Sequence, residues 1–176
     1  LKKTEGEIQH IYRLYFTDVY RFLAAFTYDQ HEVEDLTQEV FIRLFKSLSS
    51  FRGESELKTW LFSIAKHVAI DYSKKRKRQK IIQEQLFKYI PAISKSPEDL
   101  FTSKEDVNSL YVALKDLKHT YKAVIILRGI QECSISETAS IMGWSESKVK
   151  VTYHRAIKKL KVNMLEINSE IEERWV

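Results

Sequence analysis

Cysteine occurs once, proline twice and glycine four times in this 176-residue chain, and each scarcity removes a class of proteins. Cys133 alone can close no internal disulfide and cannot by itself hold a metal, so a disulfide scaffold and a zinc finger are both excluded. A small buried or half-buried side chain is the simpler reading of it. Two prolines and four glycines leave long stretches in which nothing breaks a helix. No apolar run approaches the ~20 residues that span a bilayer, and the N-terminus lacks a signal-like hydrophobic core. A soluble, intracellular protein without direct membrane insertion is therefore expected. Strand alternation is missing too, since apolar positions recur with a period near 3.6 almost throughout. The first residue is Leu1 rather than Met, as expected where natural N-terminal residues are absent.

What is present is hydrophobic and basic. With 44% hydrophobic and 12% aromatic residues, the chain has material for packed cores, and its length accommodates one medium domain or two small helical ones. Lys and Arg number 29 against 24 Asp and Glu, a formal net charge of +5, and placement tells more than size. From Lys66 to Lys80 there are seven bases and one acid, Asp71; from Lys148 to Lys161 there are six bases and no acid. Two basic patches far apart in sequence suggest one extended polyanion touched twice.

Helical spacing organises the first half into three segments. Ile8, Ile11, Tyr12, Tyr15, Phe16, Val19, Phe22 and Leu23 form one apolar face, and Leu36, Val40, Phe41, Leu44 and Leu48 form a second. Gly53 interrupts the pattern. Ser55 is placed to cap a third helix containing Leu57, Trp60, Leu61, Ile64, Ala65, Val68 and Tyr72. Three such helices enclose one core, giving a domain over residues 1–80. A linker is expected at 81–106, where Pro91 and Pro97 stand, with some local helix or docking around Ile81, Ile82, Leu86, Phe87, Tyr89 and Ile90.

The second domain, 107–176, carries Leu110, Leu114 and Leu117, then Ala123, Val124, Ile126 and Leu127. Ser134 followed by Glu137 is a capping-box pattern, Gly143 suits a helix C-terminus, and Ser145 is placed to cap a last helix. In that helix Val149, Tyr153, Ala156, Ile157 and Leu160 share one side, while Ser147, Val151, His154, Arg155 and Lys158 share the other. Helix, tight turn and basic helix describe a helix-turn-helix reader of duplex DNA. Arg155 suits a guanine edge, Val151 and His154 an apolar and a polar base contact, and Lys148, Lys150 and Lys158 the phosphates.

The first patch differs in kind. Lys74, Lys75, Arg76, Lys77 and Arg78 are consecutive, cannot share one helical face, and suit backbone phosphates. Before them Trp60, Lys66, His67, Asp71 and Tyr72 combine rings, donors and an acceptor, a mixture suited to an opened strand. Trp60 equally fits the core beside Leu57, Leu61 and Ile64. His31, Asp35, Glu39 and Arg43 recur every four residues along one polar stripe. They lack a completing metal ligand, so a charged surface or a protein-binding face is expected.

Residues 34–45, with Glu34-Asp35-Leu36-Thr37-Gln38-Glu39-Val40-Phe41-Ile42-Arg43, resemble the polymerase-clamp-binding helix of extracytoplasmic-function sigma factors. Phe51-Arg52-Gly53-Glu54-Ser55, Thr59-Trp60-Leu61 and Ile64 to Asp71 are similar to that family's loop and helix at the melted minus-ten element. Residues 134–143 and 147–156 resemble its scaffold helix and its minus-thirty-five recognition helix. The resemblance implies an all-α protein of two small helical domains joined by a linker, the second containing the helix-turn-helix. It implies no enzymatic activity, no cofactor and no metal.

Further implied are partners and sites. Asp35, Gln38, Glu39 and Arg43 would face the clamp of core RNA polymerase, whose flap would meet the second domain. Phe51, Arg52, Gly53, Glu54, Trp60, Lys66, His67, Asp71 and the run Lys74, Lys75, Arg76, Lys77 and Arg78 would serve the melted minus-ten strand. Ser147, Lys148, Lys150, Val151, His154, Arg155 and Lys158 would serve the minus-thirty-five duplex. An anti-sigma factor is a further expected partner, holding the protein near the membrane from the cytoplasm. The competing readings are a dimeric, ligand-sensing helix-turn-helix regulator, which leaves the acidic stripe without a task, and a nucleic-acid-processing enzyme, which lacks a nucleophile or metal set.

Overall fold

The computed structural model describes residues 5–27, 29–53, 55–86 and 105–174. Every regular element among them is helical, in the order α1 (Glu5–Ala24), α2 (Gln30–Ser47), α3 (Leu57–Leu86), α4 (Glu105–Leu114), α5 (His119–Ile125), α6 (Ile135–Met142) and α7 (Glu146–Arg174). A 3-10 turn, Leu48–Ser50, follows α2, and a π-turn, Ile126–Ile130, follows α5. The all-α architecture of two small helical domains agrees with the period of the apolar residues. No helix among the described residues is long and apolar enough to cross a membrane.

Helices α1 to α3 pack mutually. Their core holds Val19, Phe22, Leu23, Val40, Leu44, Leu61, Phe62 and Ala65, all fully buried. Phe22 meets Phe62 edge to face, with ring centroids 5.6 Å apart, and losing either ring would cost about 3 to 5 kcal/mol. Asp29 starts α2 by accepting from the backbone N–H groups of His31, at 2.9 Å, and Glu32, at 3.3 Å, which satisfies donors that a helix start otherwise leaves open.

The start of α3 differs from expectation. The N–H of Trp60 donates to the carbonyl of Glu56 at 3.1 Å, so the helix begins one residue later than a Ser55 cap requires. Ser55 Oγ instead donates to the Glu56 carbonyl at 3.4 Å. At its other end α3 continues through Leu86, so the basic run lies on a helix that includes Ile81, Ile82 and Leu86. Phe87, Tyr89, Ile90, Pro91 and Pro97 lie outside the described residues.

In the second domain α7 packs against α4, α5 and α6, burying Val149, Ala156 and Leu160 against Leu114, Val124, Leu127 and Ile141. The expected caps are present. Ser134 and Glu137 form a reciprocal capping box, and Gly143 takes φ +67, a left-handed conformation without Cβ strain for glycine. The N–H groups of Trp144 and Gly143 then return to the carbonyls of Ala139 and Ser140 at 2.9 and 3.3 Å, the Schellman pattern that ends a helix abruptly. Ser145 Oγ accepts from the Lys148 N–H at 3.3 Å and opens α7. The two domains touch, with α3 lying against α6 and α5.

Candidate nucleic-acid interface

The outer face of α7 is laid out as the sequence implies. Ser147, Lys148, Lys150, Val151, His154, Arg155 and Lys158 are all exposed, and Val151 is 50% accessible. Their helix is held from behind by Val149, Ala156 and Leu160, so its outward side chains share a rigid base. Trp144, in the turn, adds a feature that helical periodicity gave no reason to single out: the Lys148 ammonium sits 4.4 Å from its ring centroid.

A second concave feature lies in the first domain. Phe51 stacks on Trp60 with centroids 4.8 Å apart and planes 25° from parallel. These rings, with Ser50, Arg52 and Ser55, line a cleft of about 280 Å³. Gly53 permits the loop with φ +71, where a side chain would be strained. Glu54 lies outside the described residues. Trp60 is partly buried, packed against the core and at the same time lining the cleft.

Further along α3, Asp71, Lys74, Lys75, Arg78 and Gln79 line a broader cleft of about 590 Å³. His67 is exposed one turn before it. Two expected contacts are placed differently. Lys66 is buried, its ammonium 3.1 Å from His67 Nε2, and burial lowers its pKa; position 66 falls beside the buried Ala65 and Ala69 on α3. Arg76 turns inward along the domain surface, 2.6 Å from the Tyr72 hydroxyl and 3.3 Å from Glu32. Tyr72 and Thr27 both donate to the same Glu32 carboxylate. Burial, followed by the bond to Glu32, raises the Tyr72 pKa.

On α2, Asp35, Gln38 and Arg43 are exposed and Glu39 is half-buried. Arg43 Nε lies 2.7 Å from Glu39, and Arg43 Nη1 lies 3.9 Å from Asp71. The polar stripe of α2 thus adjoins the α3 cleft, a juxtaposition invisible in sequence because the two residues are on different helices.

Residues 11–79 match Sigma-70 region 2, and residues 108–160 match Sigma-70, region 4. A chain with both regions is a sigma factor, a subunit that binds core RNA polymerase and directs promoter-specific initiation of transcription. Its relatives narrow the class. ECF RNA polymerase sigma factor SigX of Bacillus subtilis (strain 168) is 40% identical over 180 residues, covering 95% of this chain and 88% of SigX. RNA polymerase sigma factor YlaC of the same organism is 32% identical, covering 96% of this chain and 98% of YlaC. The chain belongs to the ECF RNA polymerase sigma factors. The sigma factor RpoE of Bartonella quintana, solved in complex with the anti-sigma factor NepR, shares the fold with a TM-score of 0.70 at 24% identity, over 92% of this chain and 98% of RpoE. Region 2 also disposes of the ligand-sensing regulator, which requires a different N-terminal half.

Proposed function

We propose that three surfaces divide the work of this sigma factor. Asp35, Gln38, Glu39 and Arg43 bind the clamp of the polymerase large subunit. Phe51, Arg52, Gly53, Glu54 and Trp60 receive an extruded minus-ten base, with His67 and Asp71 beside it and Lys74, Lys75, Lys77 and Arg78 on the backbone. Lys66 positions His67, and Arg76 buttresses α3 against Glu32. Ser147, Val151, His154 and Arg155 address minus-thirty-five base edges, while Lys148, Lys150 and Lys158 hold phosphates. Residues 1–80 form the core-binding and minus-ten domain, 81–106 the connection, and 107–176 the minus-thirty-five domain, which also meets the polymerase flap.

The observation that carries this reading is the cleft walled by stacked Phe51 and Trp60, because an unpaired base offers a ring face and open edges that duplex DNA hides. An anti-sigma factor is a further partner of this protein, as NepR is of RpoE, and one anchored in the membrane would retain this protein close to it in the cytoplasm. The chain itself performs no catalysis.

Selection of promoter variants with purified core polymerase tests the assignment. Two elements at fixed spacing should be enriched with core and not without it. Equal enrichment by the chain alone would restore a duplex-binding regulator. In the same system Asp35→Ala with Glu39→Ala should weaken core association about fivefold to tenfold at low salt and less at high salt, leaving the fold intact. Unchanged core affinity would return the stripe to ordinary solvated surface.

A further inference from the structure

Lys66 is only 8% accessible, yet among the described residues the ion pairs belong to Arg43 and Arg76, none to Lys66. Its ammonium meets the imidazole of His67 instead, with Nζ 3.1 Å from Nε2. Consecutive residues of a helix do not face each other, so the bond requires the long stem of Lys66 to run along the protein before its head reaches the ring. A buried cation held by a ring in place of a carboxylate costs stability. Burial accordingly lowers the Lys66 pKa, and a destabilised charge beside an exposed polar ring marks the pair for a task other than holding the helix.

The chemistry of the bond fixes the state of the ring. An ammonium donates and cannot accept. His67 Nε2 must therefore supply a lone pair, which leaves the imidazole neutral with its proton on Nδ1. The opposite tautomer would set N–H against N–H across the same 3.1 Å. His67 is exposed, so the polar group that the ring retains for a ligand is a donor, Nδ1–H.

The helix places that donor along the path of the opened strand. At ~100° per residue, His67 and Asp71 each lie within about 20° of Trp60 around α3. His67 stands about 10 Å along the axis from Trp60, the rise of roughly three stacked bases at ~3.4 Å. A strand whose extruded base enters the Phe51–Trp60 cleft thus runs past His67 with a neighbouring base. Exocyclic groups sort the bases: guanine and thymine carry a keto oxygen that accepts, whereas adenine and cytosine carry an amino group that donates. We infer that Lys66 is a positioning residue that fixes His67 as a hydrogen-bond donor, so that the opened strand is read there for a keto base over an amino base. The inference rests on the promoter reading proposed above. With its tautomer reversed the same ring would present a lone pair and favour the amino bases, so the residue that sets the tautomer sets the sign of the preference.

Heteronuclear NMR of the imidazole nitrogens in the full chain tests the lock directly, with His67→Ala assigning the signal. At about pH 8, where an ordinary imidazole is neutral, the His67 proton should sit on Nδ1 in wild type. Lys66→Arg, whose guanidinium also only donates, should keep that signature. Lys66→Met should lose it, and because it carries a long stem without the buried charge it should fold at least as well as wild type. A proton on Nε2 in wild type, or a tautomer unmoved in Lys66→Met, overturns the inference.

Transcription with added core polymerase supplies the second readout, each base being placed in turn at every position flanking the extruded one. Wild type and Lys66→Arg should favour keto over amino bases at one of these positions by about fivefold, the worth of one hydrogen bond, and Lys66→Met should reduce the ratio below about twofold. A keto preference absent from wild type, or unchanged in Lys66→Met, overturns the inference while leaving the promoter reading standing. Failure of wild type to give any promoter-specific transcription sinks the promoter reading and the base selection together, whatever the tautomer.

Discussion

Along α7, Lys148, Lys150, His154, Arg155 and Lys158 stand in solvent on the face opposite Val149, Ala156 and Leu160. On α3 and α5 the cations live differently. Lys66 and Lys122 are buried, Arg76 is bound to Glu32, and Lys74 and Lys77 bear on His119. A cation in water keeps its hydration until a phosphate or base displaces it, so it is available for binding. One taken out of water destabilises the fold unless a partner compensates. The two basic stretches look alike as charge counts, yet one is mostly a surface for a ligand and the other is partly a structural seam.

The comparison is sharpest at Arg155 and breaks most visibly there. Arg155→Ala should remove about 1 to 3 kcal/mol of discrimination at one minus-thirty-five base, flattening preference across a panel of promoter variants assayed with core polymerase. A uniform loss across the panel would make Arg155 another phosphate contact and erase the distinction between reader and anchor.

Next in size is Lys122, the most unfavourably placed cation of the seam. Burial is the main reason its pKa falls to about 8; Asp116 opposes the fall, while Arg76 and Lys115 add to it. Lys122→Met keeps most of the stem and removes the charge, and should stabilise the protein by about 1 to 3 kcal/mol at neutral pH. Between pH 8 and 10.5 the folded chain has released this proton while the unfolded chain still holds it, so the Lys122 contribution to wild-type stability rises with pH through that window. Urea unfolding from about pH 7.5 to about pH 9 should therefore narrow the gap between variant and wild type. The difference between the two proteins isolates Lys122 from Cys133, Tyr72 and Tyr111, whose raised pKa values act in the opposite sense at higher pH. A gap that stays constant would mean the Lys122 charge is not penalised.

The smallest effects separate cations within α3. Lys75→Ala with Arg78→Ala empties one side of the α3 cleft without touching Lys77, which acts on His119. This pair should weaken all promoter variants alike and reduce the salt dependence by up to about one unit for each phosphate left without its cation. Arg76→Gln should leave the salt slope unchanged and lower stability by about 0.5 to 1 kcal/mol, the worth of a partly exposed ion pair. An altered salt slope for Arg76→Gln would return it to the phosphate-binding set.

Much of this architecture is legible along the chain because its causes are local. The faces of α1, α2 and α7 follow from apolar residues three and four apart, and the α6 boundaries follow from Ser134, Glu137 and Gly143, whose effects reach only one helical turn. The exposed set on α7 follows from the same periodicity. Ser55 shows the limit of such reasoning, since a one-residue shift in the helix start carries it past the capping position. Lys66 and Arg76 show another: in a list of residues they match their neighbours, and only packing distinguishes a buried ammonium or an ion-paired guanidinium from a free one.

Residue order by itself determined the all-helical class, the two cores, the helix-turn-helix and the outward face of α7, because each depends on propensity, capping and spacing within a few turns. Tertiary structure alone decided that Phe51 stacks on Trp60, that Arg43 reaches Asp71, that Tyr72 and Arg76 converge on Glu32, and that Gln131 joins two domains across 113 residues of chain. Such contacts form only after separate helices have packed. Their partners are chosen by helix orientation and distance in space, and no periodicity in the chain records either.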